Sequence, residues 1–224
     1  MADQNLNKNL LQTWKEQFIE NRLQTEIASP QINFDRLTLE QQRLVKLVET
    51  RLNTPQDEQY ENPVRIILVS PPGTGKTTTL AHIKFLLETK KRSDPGFDFK
   101  FAVLTGTLAF QLKIQTIHSA FKLPVKFTQG FLEKIKNGSA YSPAVLTEFR
   151  KVRWLILDEM SLISLRLLHA IDLIMRSADD FFKDEPFAAR SIVICGDPLQ
   201  PLTVADHPVF YPAYQLDRHP FYET

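Results

Sequence analysis

The chain has 224 residues, of which 43% are hydrophobic and 24% charged. This composition is typical of a globular protein with one sizeable core. The formal net charge of +1 gives no argument for nucleic-acid binding by composition alone. Cys195 is the single cysteine, which excludes an internal disulfide. Because the sequence also shows no signal-peptide pattern and no run of membrane-spanning length, we expect a nuclear or cytoplasmic protein without a membrane partner.

The spacing of apolar residues predicts helices and strands in alternating order. Leu6 to Ile27 has the periodicity of an amphipathic helix, and Thr38 to Leu52 that of a second one. Residues 53–62 are predicted to form a polar loop, and residues 123–143 a mixed, less regular segment. Further strands are expected at 64–69, 99–104, 154–157 and 191–195, and further helices at 78–91 and 162–175. This β-α-β order predicts an α/β fold with a mostly parallel sheet.

The strand predicted at 64–69 leads into a glycine-rich loop that ends in Gly75-Lys76-Thr77. Its glycines allow backbone N–H groups to surround phosphates, the lysine can reach the β- and γ-phosphates, and the Thr77 hydroxyl can bind Mg²⁺. Ser70 stands where the full pattern has a glycine, so the match runs from Gly73 onward. The residues that we expect to bind the nucleotide are Pro72, Gly73, Thr74, Gly75, Lys76, Thr77 and Thr78.

Two adjacent carboxylates, Asp158 and Glu159, follow a later hydrophobic strand. In a phosphate-loop nucleoside triphosphatase, Asp158 would hold Mg²⁺ together with Thr77, and Glu159 would orient and deprotonate the attacking water. Without the upstream loop, an ordinary acidic loop would be the better interpretation. Gln200, in a Gly-Asp-Pro-Leu-Gln turn after the strand at 191–195, could contact the γ-phosphate. A turn of that composition is by itself more often only a turn.

With these three segments in order, the chain resembles the superfamily 1B DNA helicases of the Pif and RecD kind. The stretch from Leu104 to Pro124, which contains Gln115-Thr116-Ile117-His118-Ser119, is similar to the DNA-contacting segment of that family. The resemblance implies a three-layer RecA-like fold with helices on both faces of the sheet, and the use of ATP, Mg²⁺ and single-stranded DNA. The DNA-binding residues that it implies are Thr105, Gly106, Thr116, His118 and Ser119.

Three positions leave room for other interpretations. Gln41 fits the adenine-reading glutamine of the family, but it equally fits the third helical position of a capping box that begins at Thr38. His118 is assigned to DNA or to coupling by the motif, although Thr116 and Ser119 could instead cap a helix and leave the imidazole half-buried. The family's third motif continues Gln-Leu-Pro-Pro, whereas this chain reads Gln-Pro-Leu-Thr from residue 200.

The resemblance covers about residues 35–205, which predicts an N-terminal helical extension (1–34), a RecA-like ATPase domain (35–205) and a C-terminal tail (206–224). We expect the arginines that complete such a motor to come from a second RecA-like domain or chain, because nothing after Thr203 supplies that domain. The leading hypothesis is a 5′-to-3′ DNA helicase motor domain. The alternatives are a nucleotide-regulated DNA- or protein-binding module without turnover and an unrelated ring-forming ATPase.

Overall fold

The computed structural model describes residues 34–69, 71 and 73–199. The helix predicted between Leu6 and Ile27 lies outside these residues, and so do Pro72 and Gln200 of the predicted site. The chain divides into two units, Met1–Thr38 and Leu39–Thr224. The first contributes a 3₁₀ turn at Phe34–Arg36, and the second contains every element that follows.

The described residues form a five-stranded sheet with the order β1-β5-β4-β2-β3. All neighbouring strands are parallel. The chain therefore returns to the same edge of the sheet after each strand, and each of these connections contains helical segments. The predicted α/β fold is therefore confirmed. The strands are β1 (Arg65–Val69), β2 (Asp98–Val103), β3 (Gln115–Thr116), β4 (Val152–Leu157) and β5 (Ser191–Gly196).

Eight α-helices accompany this sheet within the described residues: α1 (Leu39–Asn53), α2 (Gln56–Glu61), α3 (Lys76–Ser93), α4 (Gly106–Leu112), α5 (Ile117–Ala120), α6 (Gln129–Lys136), α7 (Pro143–Arg150) and α8 (Leu165–Ser177). The helices predicted at 38–52, 78–91 and 162–175 correspond to α1, α3 and α8. No helix in the described part of the chain is long and apolar enough to cross a membrane.

The prediction of a loop at 53–62 is wrong, because most of this segment forms α2. This short helix buries a polar residue, Gln59, whose Nε2 donates to the carbonyl oxygen of Thr54 at 2.8 Å. Acidic residues in its first turn, Asp57 and Glu58, favour the helix through the helix dipole. A helix whose inward residue is polar gives no apolar periodicity, which explains why the pattern indicated a loop.

Side chains on both faces of the central strands are buried, as expected for a parallel sheet covered by helices. On one face, Leu155 and Ile192 belong to a single apolar cluster with residues of α5, α6, α7 and α8. Side chains alternate along a strand, so Trp154 and Val193, which are also fully buried, lie on the opposite face, where α3 contacts β2. Cys195 on β5 has no exposed surface.

A buried arginine stabilises the edge of the sheet at which β4 and β5 begin. The side chain of Arg190 is fully buried and donates to the carbonyl oxygens of Val152 (2.6 Å), Ala188 (2.5 Å) and Arg150 (3.3 Å). Its Nη2 also lies 2.7 Å from Oδ2 of Asp179. A buried guanidinium needs both a counter-charge and hydrogen-bond acceptors, and this arrangement provides both.

Because the strands are parallel, their carboxyl ends meet at one edge of the sheet. The glycine-rich loop follows β1, Thr105 follows β2, the two carboxylates follow β4, and Asp197 follows β5. Open α/β sheets bind ligands at this edge. The fold therefore collects the segments predicted from separate parts of the sequence.

Candidate active site

The glycine-rich loop has the backbone of a phosphate cradle. Gly73 and Gly75 adopt left-handed conformations, with φ of 80° and 81°, which residues with a Cβ rarely adopt. The Thr74 hydroxyl donates to the carbonyl oxygen of Pro71 at 2.8 Å and tightens the turn. Within the described residues, and apart from the two chain neighbours of Gly73, no heavy atom lies within 4 Å of a Cβ built on this glycine.

The loop and the acidic strand end meet in an ion pair. Lys76 is the first residue of α3, and its Nζ lies 3.1 Å from Oδ1 of Asp158, the residue after β4. The side chain of Asp158 is 4% exposed and that of Lys76 is 19% exposed. The structure thus brings together two residues to which the sequence assigned complementary roles, and the low exposure strengthens their attraction.

The chemistry of these groups suits Mg²⁺ and a phosphate chain. The 18-residue helix α3 begins at the loop and has no acidic residue in its first turn, so its N-terminus and Lys76 both favour an anion. Thr77, exposed in that turn, and Asp158 supply the oxygen ligands that Mg²⁺ prefers. Within the described residues, Oδ1 of Asp158 accepts hydrogen bonds from Lys76 and from the Glu159 N–H. The other carboxylate oxygen, Oδ2, therefore remains as a ligand for a cation.

Gln41 lies at the loop. Its Nε2 donates to the carbonyl oxygen of Thr74 at 2.8 Å, and a Cβ on Gly75 would approach the same Nε2 to 2.7 Å. Through this contact, α1 supports the glycine-rich loop, and α1 itself packs against α3. Adenine reading by Gln41 stays a prediction, and so does the binding role of Thr78, which is exposed in the first turn of α3.

Glu159 contacts a residue that the sequence placed in a different function. Its backbone is left-handed, with φ 63° and ψ 48°, and its side chain is half-buried. The N–H of Thr105 donates to Oε2 at 3.2 Å, and the Thr105 hydroxyl lies 3.1 Å from Oε2 and 3.4 Å from Oε1. The predicted general base and a predicted DNA-contacting residue are therefore hydrogen-bonded to each other. No pattern in the sequence indicated this contact.

The third motif is packed against the loop that follows Glu159. Gly196 has a φ of 155°, and a Cβ there would lie 2.6 Å from the backbone nitrogen of Met160. The buried Asp197 accepts from the Leu199 N–H at 2.9 Å and stabilises its own turn. The glycine is thus required by a close backbone approach, a reason that the motif alone did not give.

In the predicted DNA segment, the capping alternative is observed for Thr116. Its Oγ1 accepts from the Ser119 N–H at 3.3 Å at the start of α5. His118 is half-buried in that helix, and burial lowers the pKa of its imidazole. Gly106 and Ser119 are exposed. Contact of these residues with DNA stays a prediction.

A parallel α/β sheet, a phosphate loop that opens a helix, and an ion pair from that helix to an acidic strand end together define a RecA-like phosphate-loop nucleoside triphosphatase fold. The sequence model of the PIF1-like helicase family matches residues 37–210 of the chain. The chain belongs to this family.

Similar proteins agree with this assignment. The chain is 30% identical over 143 residues to the ATP-dependent DNA helicase PIF3 of Trypanosoma brucei brucei, a match that covers 64% of this chain and 16% of that protein. The Pif1 helicase from Bacteroides in complex with ADP-AlF3 and single-stranded DNA has 27% identity and a TM-score of 0.52, covering 76% of this chain and 34% of that one. The Pif1 helicase from Candida albicans, with 24% identity and a TM-score of 0.56, shares the fold over 79% of this chain and 36% of that one. The chain thus spans about a third of the solved relatives and a smaller part of the curated one.

Proposed function

We propose that this chain is the motor domain of a 5′-to-3′ DNA helicase, which couples ATP hydrolysis to translocation along single-stranded DNA. The observation that carries the proposal is the ion pair between Lys76 and Asp158. The Lys76 ammonium and the Asp158 carboxylate are adjacent, as the site of a Mg²⁺-dependent triphosphatase would require, and this supports the proposal. Membership of the PIF1-like helicase family supports the choice of substrate.

ATP would bind with its phosphates in the loop. Backbone N–H groups from Gly73 to Thr78 and the positive end of α3 would surround the phosphates, and the Lys76 ammonium would turn from Asp158 to them. Gln41 would hold the loop at Thr74.

Hydrolysis would use the residues at the ends of β4 and β5. Thr77 and Asp158 would hold Mg²⁺, which neutralises phosphate charge when it is bound with ATP. Glu159 would orient a water molecule and accept its proton, and Gln200 would contact the γ-phosphate. Full turnover would require arginines from a second RecA-like domain or another chain, a contribution of roughly 10³–10⁵ in rate where arginine fingers have been measured.

Single-stranded DNA would lie across the segment that contains Thr105, Gly106, Thr116, His118 and Ser119. The Bacteroides relative has been solved with single-stranded DNA, which supports this choice of partner. Because the chain has a net charge of only +1, binding would depend on local phosphate contacts and base stacking. Its affinity should still fall steeply with salt concentration, since released counterions dominate such binding.

The decisive experiment measures steady-state ATP hydrolysis with and without single-stranded DNA, with Glu159→Gln as the blank. Stimulation by DNA above the blank is the expected result. ATP binding without turnover, even with DNA, would instead favour the nucleotide-regulated binding module. Hydrolysis that ignores DNA and depends on self-assembly would point to a ring-forming ATPase and would overturn the proposal.

A further inference from the structure

Glu159 and its neighbour Asp158 point to opposite sides of β4. Asp158 pairs with Lys76, which follows β1 and the phosphate loop. Glu159 is hydrogen-bonded to Thr105, which follows β2. In the sheet order, β5 and β1 lie on one side of β4 and β2 lies on the other. The carboxylate predicted to act on water is therefore held on the side away from the phosphate loop.

The backbone of Glu159 is fixed, so the side chain is the part that can move. A left-handed conformation at a residue other than glycine is uncommon and is kept only where the surroundings enforce it. Here the Glu159 N–H donates to Oδ1 of Asp158 at 2.8 Å, and the 3₁₀ turn Met160–Leu162 follows directly. We therefore expect the carboxylate to move from Thr105 towards the nucleotide by rotation of the side chain, with the backbone kept in place.

Thr105 directs its hydroxyl to Glu159 and not to its own helix. It occupies the N-cap position of α4, where a threonine side chain usually accepts a backbone N–H of the first turn, but it makes no such bond. Thr116 and Ser164, at the N-caps of α5 and α8, make such bonds, whereas Thr128 and Ser142, at the N-caps of α6 and α7, do not. The contact with Glu159 is therefore not a by-product of helix capping.

A threonine hydroxyl has one proton to donate. A DNA phosphate oxygen placed at Thr105 would compete with Glu159 for that proton, and its negative charge would repel the nearby carboxylate. Both effects would weaken the hold of Thr105 on Glu159, which would then keep only the bond from the Thr105 backbone N–H. By reciprocity, removing the carboxylate should make it easier for DNA to bind at Thr105.

We propose that Thr105 is a positioning residue that withholds Glu159 from the nucleotide until single-stranded DNA takes over the Thr105 hydroxyl. The inference rests on the proposed function, because it requires that the chain binds DNA through this segment and that Glu159 acts in hydrolysis. It adds a direct hydrogen-bonded link between these two activities.

The test is a double-mutant cycle in which the affinity for DNA is measured in the absence of nucleotide. The result therefore does not depend on turnover. The probe is a fluorescein-labelled oligo-dT strand, and the readout is its anisotropy. Glu159→Ala should tighten binding about fivefold or more in the parent chain, at the lower end of typical coupling between sites. In the Thr105→Val background, which lacks the hydroxyl, the same substitution should have a much smaller effect. In Thr105→Ser, which keeps the hydroxyl, the full effect should return.

The outcomes separate this inference from the proposed function. No binding of the strand by the parent chain would overturn both. Binding that Glu159→Ala does not tighten would overturn the inference alone. Equal tightening in the parent and Thr105→Val backgrounds would also overturn it, since the effect would then be simple removal of a negative charge.

Hydrolysis gives a second readout wherever the turnover of the parent chain is measurable. Thr105→Val should hydrolyse ATP faster than the parent chain when DNA is absent, and DNA should stimulate it less. A lower basal rate in Thr105→Val would mean that Thr105 orients Glu159 for catalysis, which contradicts the withholding role.

Discussion

Lys76 Nζ lies 3.1 Å from Asp158 Oδ1, and this pair joins the first residue of the helix after the phosphate loop to the residue that follows the central strand β4. In the absence of phosphate, the ammonium balances a carboxylate that is almost entirely buried. The same ammonium is the group that would meet an incoming phosphate. Binding of nucleotide and charge balance inside the sheet are thus linked through one side chain.

Lys76→Ala should abolish ATP binding, whereas Glu159→Gln should keep it and lose hydrolysis. The reason is that Lys76 supplies the cation of the loop, while Glu159 faces Thr105 and takes no part in the loop. Titration of a fluorescent ATP analogue checks both variants, and Lys84→Ala, farther along α3, is the matched control. Equal loss of nucleotide affinity in the two variants would contradict this division of roles.

Gln41→Ala should weaken ATP and GTP binding alike, by about 3- to 10-fold, the range that corresponds to one neutral hydrogen bond. Gln41 holds the carbonyl of Thr74, so its loss loosens the loop for any nucleoside triphosphate. Competition titrations with the two nucleotides measure the effect. A loss confined to ATP would instead show that the amide reads adenine.

Gly196→Ala should destabilise the fold by about 1–3 kcal/mol, the usual cost of overpacking a filled site. The added methyl group would lie 2.6 Å from the backbone nitrogen of Met160, which cannot move without shifting Glu159. Urea unfolding gives the free energy. Gly130→Ala in α6 is the matched control, because its Cβ meets only the Thr128 hydroxyl at 3.8 Å, and it should be neutral or stabilising. Equal stability of the two variants would disprove the close-approach argument.

Asp179→Asn should destabilise the chain by about 3–5 kcal/mol, since it leaves the buried Arg190 guanidinium without its counter-charge. Glu88→Gln is the control: Glu88 pairs with Lys84 at 3.7 Å and with the exposed Arg92 at 3.9 Å, and such surface pairs contribute little. Thermal or urea unfolding separates the two cases. A loss in Asp179→Asn no larger than in the control would show that the three backbone carbonyls around Arg190 suffice.

The stability of the fold should depend on pH through His118. Burial lowers the pKa of this imidazole from its ordinary value of 6.5, so the unfolded chain binds more protons just below that pH. The free energy of unfolding should therefore be at its full value above pH 6.5 and fall as the pH is lowered towards the folded pKa. Urea unfolding at pH 7.5 and 5.5 should show a smaller difference in His118→Gln than in the parent chain. An unchanged difference would mean that other groups cause the pH dependence.

The strands were predictable because a parallel sheet buries both faces, which produces continuous apolar runs such as those of β4 and β5. The proximity of Lys76 and Asp158 was expected, because the roles predicted for them belong to one site, whereas their direct ion pair was not predicted. The contact between Thr105 and Glu159 could not be predicted, because it depends on β2 being the neighbour of β4. The spacing of residues within a segment does not determine the order of strands in the sheet. The helix α2 was missed for a different reason, since its inward side chain, Gln59, is polar.

Cys195 has no exposed surface and lies on β5, between the strand that leads into the phosphate loop and the strand that carries the carboxylates. Burial, with Asp158 adding to it, raises the pKa of its thiol, so the folded sheet keeps the sulfur unreactive. Since it is the only cysteine in the sequence, a thiol reagent can modify the chain only when this part of the sheet opens. The rate at which a thiol reagent reacts with Cys195 therefore reports how often β5 becomes exposed between the two neighbouring strands, without any engineered cysteine.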